Sequence, residues 1–437
     1  MPKPEGNRVS FEPKEVMAID EIDLGGADFW LRPIEEREGA FRTLRRERPV
    51  SFHQEMAPPP GLGIERGPGF WALTRHADIL EVSRQPEVFC SGQGSNIVDL
   101  PPMFLEFFGS MINMDDPKHA RLRRIVARGF TPRMVARAEE AVERCAVSIV
   151  DRIVDRGECD FVADVANVLP LAIICDMMGI PQSEREMVIE KSNVILGAGD
   201  PDIVKNPEER VPAILAAGAQ LSELVKDLGR ARREAPTDDL TSALANAEVD
   251  GEKLDDQEIG SFFVLLCVAG NETTRNAMSH GMHALCEYPE QRAIWQADFE
   301  GVAPTAVDEV IRWATPVIHF RRTATRDTEI RGQKIREGEK VVLWYTSANR
   351  DEEAFVDPYT FDVLRRDNEH VAFGGPGPHF CLGAHLARRE LTLMFRELFA
   401  RVPDIEVVGW PHRLVSNFIH GIKRMDCRFT PGGPTVS

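Results

Sequence analysis

A lone cysteine at the end of a glycine-rich run is the first place where residue types and spacing suggest chemistry. In Phe373-Gly374-Gly375-Pro376-Gly377-Pro378-His379-Phe380-Cys381-Leu382-Gly383, three glycines precede Cys381. Without side chains, such a backbone can approach a flat cofactor closely. A helix is predicted over 384–400, so Cys381 sits at its mouth, where free N–H groups and the positive helix end favour a thiolate over a thiol. The bland alternative is a glycine-rich turn with a buried Cys. Cys90, Cys145, Cys159, Cys175, Cys267, Cys286 and Cys427 have no such surroundings and read as small buried hydrophobes. No two cysteines stand two residues apart, so zinc ribbons, iron–sulfur clusters and thioredoxin-like motifs find no support.

A second constellation is Ala269-Gly270-Asn271-Glu272-Thr273-Thr274. It falls midway along a predicted helix over 256–287, opened by a capping box of Asp255 and Glu258 and closed before Pro289. Such a helix is about 48 Å long, and its middle, from Phe262 to Val268, is apolar on every side and is expected to be buried. A glycine there costs about 1 kcal/mol relative to alanine, and a buried glutamate is costly without a partner. Packing explains neither residue, except as a polar patch facing other protein. An acid beside an alcohol can move protons. A third pair, Glu309 and Arg312, shares one face of a helical stretch.

The elements around these groups are mostly helical. Apolar positions three and four apart predict helices over 118–129, 133–155 and 207–232, with another over 33–48. Short strands are predicted at 70–75, 328–330 and 340–346, with Gly332 and Gly338 as turn residues. Ala57–Gly61 reads as a loop, and 87–113 as a long irregular segment of the kind that is often functional. The expected organisation is a loose tail over 1–15 and one mainly α domain with a minor β portion over 16–437. A net charge of −18 argues against nucleic acid or an anionic membrane as the main partner and fits an apolar substrate. The longest uninterrupted apolar stretch, Phe262–Gly270, is well short of the roughly 20 residues of a membrane span. The amino terminus lacks the apolar core of a signal peptide, and the expected location is the cytoplasm.

The cysteine loop resembles the haem-binding signature of the cytochrome P-450 family. In the commonest family pattern the aromatic residue stands seven positions before the Cys. Here Phe373 stands eight before, and this longer loop resembles a subgroup of actinobacterial lipid and sterol side-chain hydroxylases. The long helix resembles the family's acid–alcohol motif in its A-G-x-E-T-T form. Glu309 and Arg312 resemble the E-x-x-R core, completed by Arg365 in Phe361–Arg365. The resemblance covers roughly residues 20–427.

It implies a prism-shaped, mainly helical fold, with haem b between the long helix and the helix after the Cys loop. It makes Cys381 the iron ligand and puts Phe373, Gly375 and Gly383 against the cofactor. His119, Arg123, Arg322 and His379 match the family's propionate ligands. Gly270 is expected to leave room for dioxygen, and Glu272 and Thr273 to relay protons to it. A thiolate ligand favours O–O cleavage. No flavin or nicotinamide fingerprint is visible, so electrons are expected from a ferredoxin and its reductase, received near Arg121, Arg124, Arg388 and Arg389.

The substrate implied by the resemblance is a methyl-branched lipid or sterol side chain, hydroxylated at its terminal (ω) carbon. Phe108, Leu196, Leu266, Ala269, Val317, Phe418 and Ile419 fall at places that line the pocket in this family. Ala269–Asn276, Leu343–Asp351 and Phe418–Lys423 resemble the branched-lipid ω-hydroxylases especially. The alternatives are a terpenoid or macrolide hydroxylase, a peroxide-driven enzyme, and, in a different class, a haem-based sensor.

Overall fold

The computed structural model describes residues 12–56, 66–99, 104, 110–129, 132–197, 203–248 and 251–432. The helix Asp256–Glu287 runs through its centre. Its start is fixed as the sequence predicts: the Glu258 N–H donates to Asp255 Oδ1 at 2.7 Å and the Asp255 N–H donates to Glu258 Oε2 at 3.1 Å. Ile259, Phe262, Phe263, Val264 and Cys267 are buried along its first half. Helices Val168–Met178, Arg210–Glu234, Phe299–Ala314 and Ala384–Arg401 pack around it. One hydrophobic core extends from Met111 to Phe429 and takes in all five.

The largest sheet has five strands in the order Val50–His53, Phe70–Leu73, Lys340–Trp344, His319–Ala324 and Phe89–Cys90. Phe70–Leu73 and Lys340–Trp344 are parallel, and the other pairs are antiparallel. The hairpin of Thr328–Ile330 and Gln333–Ile335 turns on Arg331 and Gly332, both at positive φ, which matches the twist of the strands. A second hairpin, His412–Arg413 with Ile422–Arg424, carries residues 414–421 towards the end of helix Phe299–Ala314.

Three expectations change here. The loose tail does not reach residue 15: the Lys14 N–H donates to Glu35 O at 2.8 Å, and Arg46 pairs with Glu15 at 3.0 Å. Residues 1–11 and the 57–61 loop lie outside the described residues. The irregular segment at 87–113 contains the edge strand Phe89–Cys90 and a turn at Met111–Asn113. Finally, Phe161–Met178 is long and apolar enough by composition to cross a membrane, but 67% of it is buried inside the protein against the long helix, as in a core helix.

Candidate active site

The cysteine loop closes on itself through the Cys381 N–H, which donates to Phe373 O at 2.9 Å. Cys381, Phe373, Gly375 and Gly383 all line one deep cavity. Gly374 and Gly377 take φ of 85° and 141°, which favours glycine. The remaining space constraint comes from protein rather than only from a cofactor. A Cβ on Gly375 would lie 2.4 Å from Ser83 Oγ, and one on Gly377 would lie 2.3 Å from the Ser83 carbonyl oxygen. These glycines let the loop close on helix His76–Ser83.

Burial pushes the Cys381 thiol up, against the pull of the Gly383 N–H, Arg123 and Arg388. The Gly383 N–H at the helix mouth favours the thiolate, and burial opposes it. A bound metal ion stabilises the deprotonated form directly.

One edge of the cavity is cationic. His119 and Arg123 come from helix Lys118–Gly129, Arg322 from strand His319–Ala324, and His379 from the cysteine loop, and all four line the cavity. The His119 and His379 rings are 4.3 Å apart. Burial, then Arg322, His119 and Arg123, push His379 down to about 3. Buried His119 Nε2 has no hydrogen-bond partner among the described residues. Arg123 donates to Phe380 O at 2.6 Å and Arg322 to Arg321 O at 2.9 Å. Two arginines beside two neutral imidazoles, one with an orphaned ring nitrogen, are the kind of donor set that a buried dianionic group requires. With a thiol at the cavity wall, they fit a haem and its two propionates.

The opposite wall is the long helix. Leu266, Ala269, Gly270, Thr273 and Ala277 line the cavity along one helix face. The Thr273 hydroxyl donates to Ala269 O at 2.6 Å. Gly270 also touches a neighbour: a Cβ there would lie 3.0 Å from Ile174 Cδ1, so helix Val168–Met178 needs the glycine too. Glu272 does not line the cavity. Its carboxylate is buried beside the wall, where Oε1 accepts from Arg275 and, at 3.0 Å, from Asn276 Nδ2.

Sequence reasoning missed Glu390, which lines the cavity beneath the cysteine loop and bonds Thr274. The available signal was an acid at 390 in the stripe Leu386, Glu390, Met394, where the period calls for an apolar residue. Burial pushes its carboxyl up to about 8, opposed by the Thr274 hydrogen bond. Its usual value is 4.5, so between 4.5 and about 8 the folded chain holds one proton more than the unfolded chain. Glu390 thus costs stability increasingly as pH rises through that window, by roughly 1.4 kcal/mol per pH unit. Glu390→Gln is expected to raise the Tm at pH 8 and barely move it at pH 5, which melts of both proteins at each pH check.

Of the predicted pocket residues, Leu266, Ala269 and Val317 line the cavity. Phe418 and Ile419 do not; they stand one layer behind, with Ile419 bridged to Val317 and the Phe418 ring 5.7 Å from that of cavity-lining Phe320. Phe108 and the Leu196 side chain lie outside the described residues. Glu309, Arg312 and Arg365 meet in a buried triad away from the cavity, with Arg312 bidentate to Glu309 at 2.7 and 2.8 Å and Arg365 at 3.1 Å. Three of the arginines assigned to an electron donor already have acids: Arg121 pairs with Glu258, Arg388 with Asp308 and Arg389 with Glu139.

A cavity bounded by a cysteine loop, a long helix that presents Thr273 and an edge holding two arginines is of the kind found in haem-thiolate monooxygenases. The Cytochrome P-450 family model matches residues 217–401, and the chain belongs to that family. It is 50% identical over 421 residues to the methyl-branched lipid omega-hydroxylase of Mycobacterium tuberculosis, covering 96% of this chain and 97% of that one. It is 40% identical over 422 residues to the steroid C26-monooxygenase of Rhodococcus jostii, covering 95% and 86%. Among solved structures, a Mycobacterium marinum cytochrome P-450 in complex with pseudoionone superposes with a TM-score of 0.87 at 45% identity, covering 95% of this chain and 100% of that one. The chain is a monooxygenase of this family.

Proposed function

We propose that this protein hydroxylates a methyl-branched lipid, or a sterol side chain, at its terminal carbon. In this reading it works in the cytoplasm, with dioxygen and with electrons from a ferredoxin and its reductase. The observation that carries the reading is the apolar wall of Leu266, Ala269 and Val317 beside Thr273, taken with the 50% identity to a methyl-branched lipid omega-hydroxylase. A terminal methyl C–H bond is stronger than internal ones, so the pocket must enforce the site by holding the chain end in place.

Cys381 is the iron ligand, and His119, Arg123, Arg322 and His379 hold the propionates. When bound, the haem supplies the activation of dioxygen that no side chain can. The chain's own residues govern protons and position. Thr273 presents its hydroxyl to the cavity and passes protons inward. Glu272 supplies them only by rotating off Arg275 and Asn276, because its resting place is outside the cavity. Glu309, Arg312 and Arg365 support the fold and take no part in the chemistry.

Thr273→Ala is expected to leave substrate binding near the parent value and to cut product formed per electron by at least about tenfold. The missing equivalents should appear as peroxide or water. Equal product per electron in both proteins removes Thr273 from the mechanism. Titration of the haem absorption band with phytanic-type acids, straight-chain acids and a sterol ketone tests the substrate. Tightest binding is expected for the branched acids or the sterol ketone; a clear preference for straight chains counts against the reading.

A further inference from the structure

Of the buried histidines outside the catalytic assignments, three, His280, His319 and His420, each hydrogen-bond a backbone carbonyl around one turn. Residues 416–420 form the turn behind the cavity wall. His319 Nδ1 lies 2.8 Å from Asn417 O, and His280 Nε2, on the long helix seven residues beyond Thr273, lies 3.0 Å from His420 O. His420 Nδ1 lies 2.6 Å from Ala314 O, at the end of helix Phe299–Ala314. A carbonyl only accepts, so in each contact the ring nitrogen carries the hydrogen. Burial pushes His319 down to about 4 and the other two well below their ordinary value, so the rings are neutral. The tautomers are thereby fixed by the carbonyls.

The turn is stitched to the wall. The Ile318 N–H donates to Phe418 O at 2.8 Å, the His420 N–H donates to Pro316 O at 2.9 Å, and Val317 bridges Ile419. Pro316, Val317 and Phe320 line the cavity. The His319 ring also braces Phe418 edge-on at 5.4 Å, and Phe418 in turn packs on Phe320. A displaced turn therefore carries the wall with it.

We propose that His319 and His280 are positioning residues that fix the Pro316–Phe320 wall and so select which carbon of the substrate is oxidised. This rests on the hydroxylase reading above. His319→Phe and His280→Phe keep a ring and remove the donor, leaving a buried carbonyl unpaired. Each should lower the ratio of terminal to internal alcohol by about tenfold. His319→Asn and His280→Gln restore an N–H at matching reach and, although His319→Asn gives up the ring against Phe418, should recover most of the parental ratio. A purely structural role would instead lower haem content or Tm at an unchanged ratio. A parental ratio in haem-loaded Phe variants overturns the proposal, as does an equal shift in the Asn and Gln variants. Should the Phe variants load no haem, His319→Gln decides: its amide is one methylene too long for Asn417 O, so its ratio should fall, and a parental ratio overturns the proposal. If the parent itself oxidises internal carbons, the substrate reading fails, while the shift between parent and variant still tests the histidines.

Discussion

Cys381→His is expected to retain part of its haem and to lose the strongly red-shifted band of the ferrous–CO complex, which reports a thiolate ligand. The substitution leaves the cationic edge in place, so His119, Arg123, Arg322 and His379 can still hold the propionates. What disappears is the only cysteine among the described residues that line the cavity. Hydroxylation should fall below detection, because a neutral imidazole does not supply the electron density of a thiolate. Absorption of the reduced, CO-saturated protein checks this. A retained red-shifted band in Cys381→His shows that another residue is the ligand.

Glu309→Ala is expected to give insoluble or haem-free protein. Glu309 and Arg312 are both fully buried, and the glutamate accepts from Arg312, Arg365, Asn368 and the Asp362 N–H. Arg312 also donates to the carbonyls of Asn349, Pro358 and Thr360, and so ties helix Phe299–Ala314 to the segment that leads into the cysteine loop. Removing the acid leaves two guanidinium groups without their counter-charge in the interior, at a cost of about 3–5 kcal/mol, a large share of the stability of most proteins. Soluble yield and haem content per chain are the measurements. A stable, fully loaded Glu309→Ala protein would falsify the structural role.

The long helix was legible to the residue, because its ends are marked by local chemistry: a reciprocal cap at Asp255 and Glu258, and Pro289 beyond Glu287. The strand His319–Ala324 was not. Two arginines in six residues look exposed, yet Arg321 is buried because it pairs with Asp99, a partner 222 positions away, and Arg322 because it lines the cavity. The partner of Glu272 was available and overlooked. Arg275, three residues on, is the kind of partner that helical spacing places beside an acid. Phe418 and Ile419 were assigned to the pocket by resemblance, whereas their place behind Val317 and Phe320 depends on a tertiary pairing that no local pattern encodes. The glycines at 375 and 377 were read for cofactor approach, and their contact with Ser83 lies nearly three hundred residues back along the chain.

The most direct test of the account is product mapping after reconstitution with a ferredoxin, its reductase and isotope-labelled dioxygen, using a phytanic-type acid as substrate. The expected product is an alcohol at the terminal carbon carrying one labelled oxygen atom. No product from branched lipids or the sterol ketone, or oxidation mainly in mid-chain, would contradict it.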